Sequence, residues 1–291
     1  MRACLVTGLC LSVLGSGAQA RAQHDAAERA AWNQEVEPFR IVGNVYYVGV
    51  AGVAAYLVHT PAGELLLDGG LPESAPCIAA SIAALGFRLA DVKILLNSHA
   101  HFDHAGGLAE LKRRSGAKLV ASRPDAGALQ KGTQESLGSG GAATFPAVAV
   151  DRLIDDGATV RLGDAVLTAH LTPGHTRGCT TWTLPIRDGK ETHQVVFYCS
   201  TSTPGYRLVN NPTYPQIAAD YARSFALLRR LSGDVFLAPH GSFFDLDGKR
   251  ARLASGAHPN PFVDPTELRR FVDASERDFN AELARQTSAS R

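Results

Sequence analysis

In the stretch NSHAHFDHAGG, residues 97–107, His99, His101, Asp103 and His104 fall within six positions, directly after the apolar run VKILL. Polar side chains taken out of water without partners cost roughly 1–3 kcal/mol each. A chain that folds this stretch onto a buried strand must therefore supply something that satisfies the cluster, and a cation does so. The spacing also restricts the backbone. His99 and His101, two apart, project to one side of an extended segment, while Asp103 and His104 fall in the next turn and face a second point nearby. The cluster thus sits where a strand ends and a helix begins, the usual place for ligand sites in α/β sheets.

The flanking sequence repeats this strand-and-helix theme. RIVGNVYYVGV, AAYLVHT and GELLLDGG read as successive strands, PESAPCIAASIAALG as a helix stopped at Gly86, VKILLNSH as a buried strand and AGGLAELKRRSG as a helix. Residues 131–150, rich in Gly, Ser and Ala, read as a surface loop. A second series of strands follows in RLIDDGATVRLGDAVLTAHLT, TTWTLPI, HQVVFYCS and DVFLAPH, with the helix YPQIAADYARSFALLRRL before the last and PTELRRFVDASERDFNAELARQ as a closing amphipathic helix. Two such rounds predict an α/β fold of two mixed sheets packed face to face with helices outside, in one domain over residues 38–291.

The first residues, MRACLVTGLCLSVLGSGAQARAQ, combine Arg2, a short apolar stretch and a small-residue AQA site. They read as a signal peptide over residues 1–20, cleaved after Ala20 or Ala22, followed by an N-terminal extension over 21–37. The expected destination is the periplasm, with no membrane association after cleavage. A formal net charge of +1 gives no electrostatic reason to bind nucleic acid. Cys4 and Cys10 leave with the signal, so Cys77, Cys179 and Cys199 remain, and an oxidising compartment favours one bridge among them.

LTPGHTRG places His175 after a strand and a Pro-Gly turn, and LAPHGS places His240 in a similar setting. With His99, His101, Asp103 and His104 the set comes to five imidazoles and one carboxylate, three donors for each of two ions. Imidazole with one carboxylate and no obligatory thiolate suits zinc, and three protein donors with an open position mark a catalytic site. Water beside such an ion ionises near pH 7, so a nucleophile is available at neutral pH. His24, His59, His170, His193 and His258 are read as ordinary surface or hydrogen-bonded histidines.

HAHFDH matches the HxHxDH signature of the metallo-β-lactamase superfamily, and DGG at 68–70, PGH at 173–175 and PH at 239–240 follow in that family's order. The chain resembles this superfamily over roughly residues 38–285, which implies the αββα four-layer sandwich. Glyoxalase II-like hydrolases, lactonases and phosphodiesterases of the superfamily usually carry a metal-bridging Asp where this chain has Tyr198, Cys199 and Ser200. Subclass B3 metallo-β-lactamases look like this stretch, and GHTRGCTTW, PGY and NPTYP add to that likeness. The resemblance implies a hydrolase of the β-lactam amide of penicillins, cephalosporins and carbapenems, with two Zn2+ per chain. One ion would be held by His99, His101 and His175 and the other by Asp103, His104 and His240, with Asp103 also orienting the attacking nucleophile. The alternative within the fold is an exported hydrolase of a lactone or thioester.

The resemblance further implies that Ser200 and Ser202 offer hydroxyls to the carboxylate of the substrate; Trp32, ahead of the first strand, and Gln134, in the 131–150 loop, are expected to wall the groove. Cys199 has three possible states: a disulfide with Cys179, a free thiol, or a zinc ligand. The disulfide is expected, because His104 already competes for the second ion and Cys179 offers a partner. Cys77 is expected to be a buried small apolar residue. The expected partner is a small molecule, and the expected assembly a monomer.

Overall fold

Gly43, at φ +52°, turns the first apolar run back on itself into a hairpin of β1 (Phe39–Val42) and β2 (Val45–Tyr47). The computed structural model describes residues 26–138 and 142–290, so the expected signal peptide lies outside the described residues. Helix α1 covers residues 26–32, ahead of the hairpin. The first sheet continues through β3 (Tyr56–Thr60), β4 (Gly63–Leu67), β5 (Val92–Leu96), β6 (Lys118–Ser122) and β7 (Arg152–Ile154), side by side in chain order. It is antiparallel from β1 to β4 and parallel from β4 to β7.

The second sheet contains β8 (Thr159–Leu162), β9 (Ala165–Leu171), β10 (Thr180–Asp188), β11 (Glu191–Phe197) and β12 (Val235–Leu237), in the order β12-β11-β10-β9-β8. Only β11 and β12 pair in parallel. Val45, Tyr47, Val58 and Leu65 of the first sheet share one core with Leu167, Trp182, Leu184 and Val196 of the second. Full burial of a large apolar side chain contributes roughly 1.5–3 kcal/mol, and Trp182 and Tyr47 are both fully buried.

Helices cover the outer faces. Ile78 and Ile82 of α2 (Ala75–Ala84) pack with Leu57, Leu66 and Leu95 on the back of the first sheet. The short α3 (Phe102–Ala105) carries Asp103 and His104. Leu108 and Leu111 of α4 (Leu108–Ser115) and Leu129 of α5 (Arg123–Lys131) join the same outer cluster. On the other side Tyr221, Phe225 and Leu228 of α6 (Ile217–Leu228) meet Leu268, Val272 and Phe279 of α8 (Glu267–Ala289), with α7 (Leu246–Ala254) between them in sequence. The result is the expected αββα sandwich. No helix among the described residues is long and apolar enough to cross a membrane.

Three local departures from the sequence reading have physical causes. RLI at 152–154 was expected with the second series of strands, yet β7 extends the first sheet beside β6, where Asp151 accepts from Leu119 N at 2.7 Å and donates its own N–H to Leu119 O at 2.9 Å. The helix expected from Ala105 begins only at Leu108, because Gly107 passes so close to Gly69 that a Cβ on it would lie 2.2 Å from the Gly69 carbonyl oxygen. Cys77 is half-buried rather than buried, near the patch of Val50, Val53 and Leu71.

Candidate metal centre

The expected donors lie at one edge of the sandwich, on the segments that leave β5, β9 and β12. Beyond β5 the chain runs extended through His99 and His101 and then enters α3, so its four polar side chains divide as the spacing predicts. Ligand atoms of His99, His101 and His175 lie within 4.8 Å of one another, as do those of Asp103, His104 and His240. The two triads adjoin, with the His99 and His104 rings 4.4 Å apart.

Four of the five imidazoles are held by one nitrogen, which leaves the other to face inward. His99 Nδ1 meets Ser98 Oγ at 2.9 Å, His175 Nδ1 donates to the Ser202 carbonyl at 2.9 Å, and His240 Nδ1 donates to the Gly52 carbonyl at 3.0 Å. His101 Nε2 lies 3.3 Å from Tyr206 Oη, whose own proton goes to the His175 carbonyl at 3.0 Å. Such partners fix the tautomer and ring orientation of metal-ligating histidines. Asp103 Oδ2 lies 3.3 Å from His104 Nε2 and 3.5 Å from His240 Nε2.

The residues fit a cation. Among the described residues, the buried side-chain polar atoms without a hydrogen-bond partner include His99 Nε2 and His104 Nδ1, one in each triad. Ionisation states agree for four of the five imidazoles. Burial pushes His99 and His175 well below the usual imidazole range, and His101 and His240 down to about 4, so these rings are neutral donors. Burial opposes charge on Asp103, but His104, His240 and His101 outweigh it and hold the carboxyl well below its usual range. Burial likewise disfavours charge on His104, and Asp103 overrides it to raise that imidazole.

Cys179 and Cys199 form a disulfide with Cα atoms 5.8 Å apart, as expected. Both sulfurs lie near His99, but the bond takes them out of contention as thiolate ligands. The bridge ties the turn that follows His175 to the exit of β11.

A cleft of about 920 Å³ opens over the triads, lined by Trp32, Gln134 and Ser202 as well as by His101, Asp103, His175 and His240. Gln134 Oε1 accepts from Phe102 N at 3.3 Å. Ser202 is exposed to the cleft, whereas Ser200 is buried beneath it, its Oγ 3.1 Å from Ser202 Oγ. Of the remaining histidines, His59 pairs with Glu64, His170 with Thr183 and His193 with Asp234, while His24 lies outside the described residues.

Three residues were not assigned a role from the sequence. Asp125 accepts from Ala100 N at 2.9 Å, Gly178 N at 2.7 Å and Thr176 Oγ1 at 2.8 Å, and so joins the two segments that carry His99, His101 and His175. Asp68, at φ +64°, accepts from Ser98 N at 2.7 Å and from Asn97 Nδ2 at 3.0 Å. Tyr206 stacks on the His175 ring with centroids 5.7 Å apart. Only the DGG and PGY motifs, which contain Asp68 and Tyr206, gave a signal in sequence.

Residues 48–240 match the model of the metallo-β-lactamase superfamily. The subclass B3 metallo-β-lactamase BJP-1 of Bradyrhizobium japonicum superposes with a TM-score of 0.83 at 44% identity, covering 90% of this chain and 98% of that one. The FEZ-1 metallo-β-lactamase of Legionella gormanii superposes with a TM-score of 0.84 at 43% identity, covering 87% and 98%. A hydroxyacylglutathione hydrolase of a Bradyrhizobium species is 31% identical over 121 residues, 42% of this chain and 39% of its own. The first curated relatives are matched over only 36% and 39% of their length. From the family match and these neighbours, the chain belongs to the metallo-β-lactamase superfamily and is similar to its subclass B3.

Proposed function

We propose that this chain hydrolyses the amide of β-lactam antibiotics, penicillins, cephalosporins and carbapenems, with two zinc ions as cofactors. The observation that carries the reading is the pair of adjoining triads, five imidazoles and one carboxylate, each with an unpartnered buried nitrogen. His99, His101 and His175 would hold one ion and Asp103, His104 and His240 the other. A zinc in such a place supplies Lewis-acid polarisation of a carbonyl and lowers the pKa of water to about 7.

The chain's own residues supply the rest. The carbonyls of Ser202 and Gly52 aim His175 and His240 inward. Asp103, ionised and next to both His104 and His240, orients a nucleophilic water by accepting its hydrogen bond. Ser202 offers its hydroxyl to the substrate carboxylate, a neutral contact of about 1 kcal/mol, and Ser200 steadies it from below. Trp32 and Gln134 form the walls of the cleft. The enzyme acts as a monomer in the periplasm, exported by its N-terminal signal segment and without nucleic-acid partners.

The match to hydroxyacylglutathione hydrolases favours thioester hydrolysis as a second reading. Against it, Tyr198, Cys199 and Ser200 offer no carboxylate at the exit of β11, and Cys199 is engaged in the disulfide. Purified protein assayed in parallel on a carbapenem, a penicillin and a glutathione thioester separates the two. We expect turnover of the β-lactams that chelation abolishes and zinc restores, and a loss of several orders of magnitude in Asp103→Ala with its fold retained. Thioester turnover without β-lactam turnover would reverse the assignment, and an active Asp103→Ala would remove the role given to that residue.

A further inference from the structure

The segment before β1 belongs to neither sheet, yet its backbone is laced onto the turn that carries Gly52. Ala51 N donates to Gln34 O and Gly52 N to Trp32 O, both at 2.9 Å, and Glu35 bridges to Val50. Two side-chain ties fasten the segment to the first turns after β4: the Arg29–Glu73 ion pair, and Ser74 Oγ donating to Asn33 Oδ1 at 2.6 Å. The Trp32 ring packs against Val50, Val53 and Leu71. It lies so close over Gly52 that a Cβ there would sit 2.4 Å from Trp32 Cδ1. Gly52 in turn presents its carbonyl to His240 Nδ1 at 3.0 Å, and the rings of Trp32 and His240 are 5.5 Å apart.

We infer that Trp32 is a positioning residue for the Asp103–His104–His240 triad: by seating the Gly52 carbonyl and flanking the His240 ring, it sets the inward direction of His240 Nε2. This rests on the reading of His240 as a zinc ligand. The two triads differ in how they are supported. The corresponding carbonyl for His175 comes from Ser202, three residues past Cys199 of the disulfide, and also accepts from Tyr221 Oη at 2.7 Å. His240 takes its carbonyl from a turn braced by the N-terminal segment. Loosening that segment therefore weakens one site and spares the other. Ala54 N donating to Pro239 O at 2.8 Å is the opposing brace, since it ties the same turn to the residue before His240 without Trp32.

The test is a zinc titration of the purified chain against a competing chromophoric chelator, with the zinc-free fold followed by circular dichroism. In Trp32→Ala the first equivalent is expected to bind as in the parent, and the second at least ten-fold more weakly. Asn33→Ala, which removes the bond to Ser74 and touches neither triad, is expected to shift the second equivalent in the same direction, and Trp32→Phe less than Trp32→Ala. Should Trp32→Ala not fold, Trp32→Phe and Asn33→Ala carry the same comparison. Unchanged affinity for both equivalents across these variants overturns the inference and leaves Trp32 as a wall of the cleft. His240→Ala separates this failure from failure of the ligand reading. If it keeps both equivalents at parent affinity, His240 is no ligand; if it loses the second while the Trp32 and Asn33 variants do not, only the positioning role falls.

Discussion

At the scale of single residues, the site depends on buried polar groups that do not line the cleft. Asp125 is the clearest case. Burial raises its pKa, so the fold pays to keep it there, and the return is three hydrogen bonds that pin Ala100 between His99 and His101 and pin Thr176 and Gly178 after His175. Removing the carboxylate leaves two backbone N–H groups and one hydroxyl buried without an acceptor, at roughly 1–3 kcal/mol each. Asp125→Ala is accordingly expected to lower the unfolding free energy by about 3 kcal/mol or more in urea denaturation. Zinc affinity should fall at the His99–His101–His175 triad and hold at the other. A denaturation midpoint within error of the parent would show that Asp125 does not join these segments in solution. Asparagine is a poor rescue, because an amide offers one oxygen where both carboxylate oxygens accept.

At the scale of elements, glycines decide how closely the motif-bearing segments approach. Gly107 lets the start of α4 pass beside the end of β4, and Gly107→Ala would drive a Cβ to within 2.2 Å of the Gly69 carbonyl. Backbone, unlike a flexible side chain, cannot swing aside, so a cost of roughly 1–3 kcal/mol is expected, read as a lowered melting temperature with reduced zinc affinity at the adjacent Asp103–His104 pair. Stability equal to the parent would mean that α4 shifts freely. Most of the αββα order was legible in sequence because its strands are apolar runs punctuated by Gly and Pro. The elements that escaped lack that contrast. α7 buries only Leu246 and Lys249 and so shows no apolar stripe, α5 carries Pro124 and Gly127, and β6 has only Leu119 and Val120 as large apolar residues. The six expected donors stood out because four fall within six positions and the other two follow Pro-bounded turns. Asp125 did not, and the PGY motif gave Tyr206 no role, since their partners lie 25 and 105 residues away, a separation that only the fold closes.

At the scale of the whole molecule, each triad draws on both halves of the sandwich. His99, His101, Asp103 and His104 follow β5 of the first sheet, whereas His175 and His240 follow β9 and β12 of the second. A cation in either triad therefore fastens one sheet to the other, across an edge that would otherwise present crowded imidazoles with ring centroids 4.4–4.9 Å apart. A ligand that binds only the folded chain stabilises it by about 2.7 kcal/mol when present at 100 times its Kd. One kcal/mol moves the melting temperature of a chain near this size by roughly 2–4 °C, so each zinc at that excess corresponds to about 5–10 °C. Complete metal removal, verified by elemental analysis, is expected to lower the melting temperature by that much per site and to leave secondary structure at room temperature intact, since the apolar core between the sheets does not involve the donors. His175→Ala should lower the melting temperature of the zinc-loaded protein toward that of the metal-free form. A metal-free protein that melts with the zinc-loaded one would mean that no cation joins the halves.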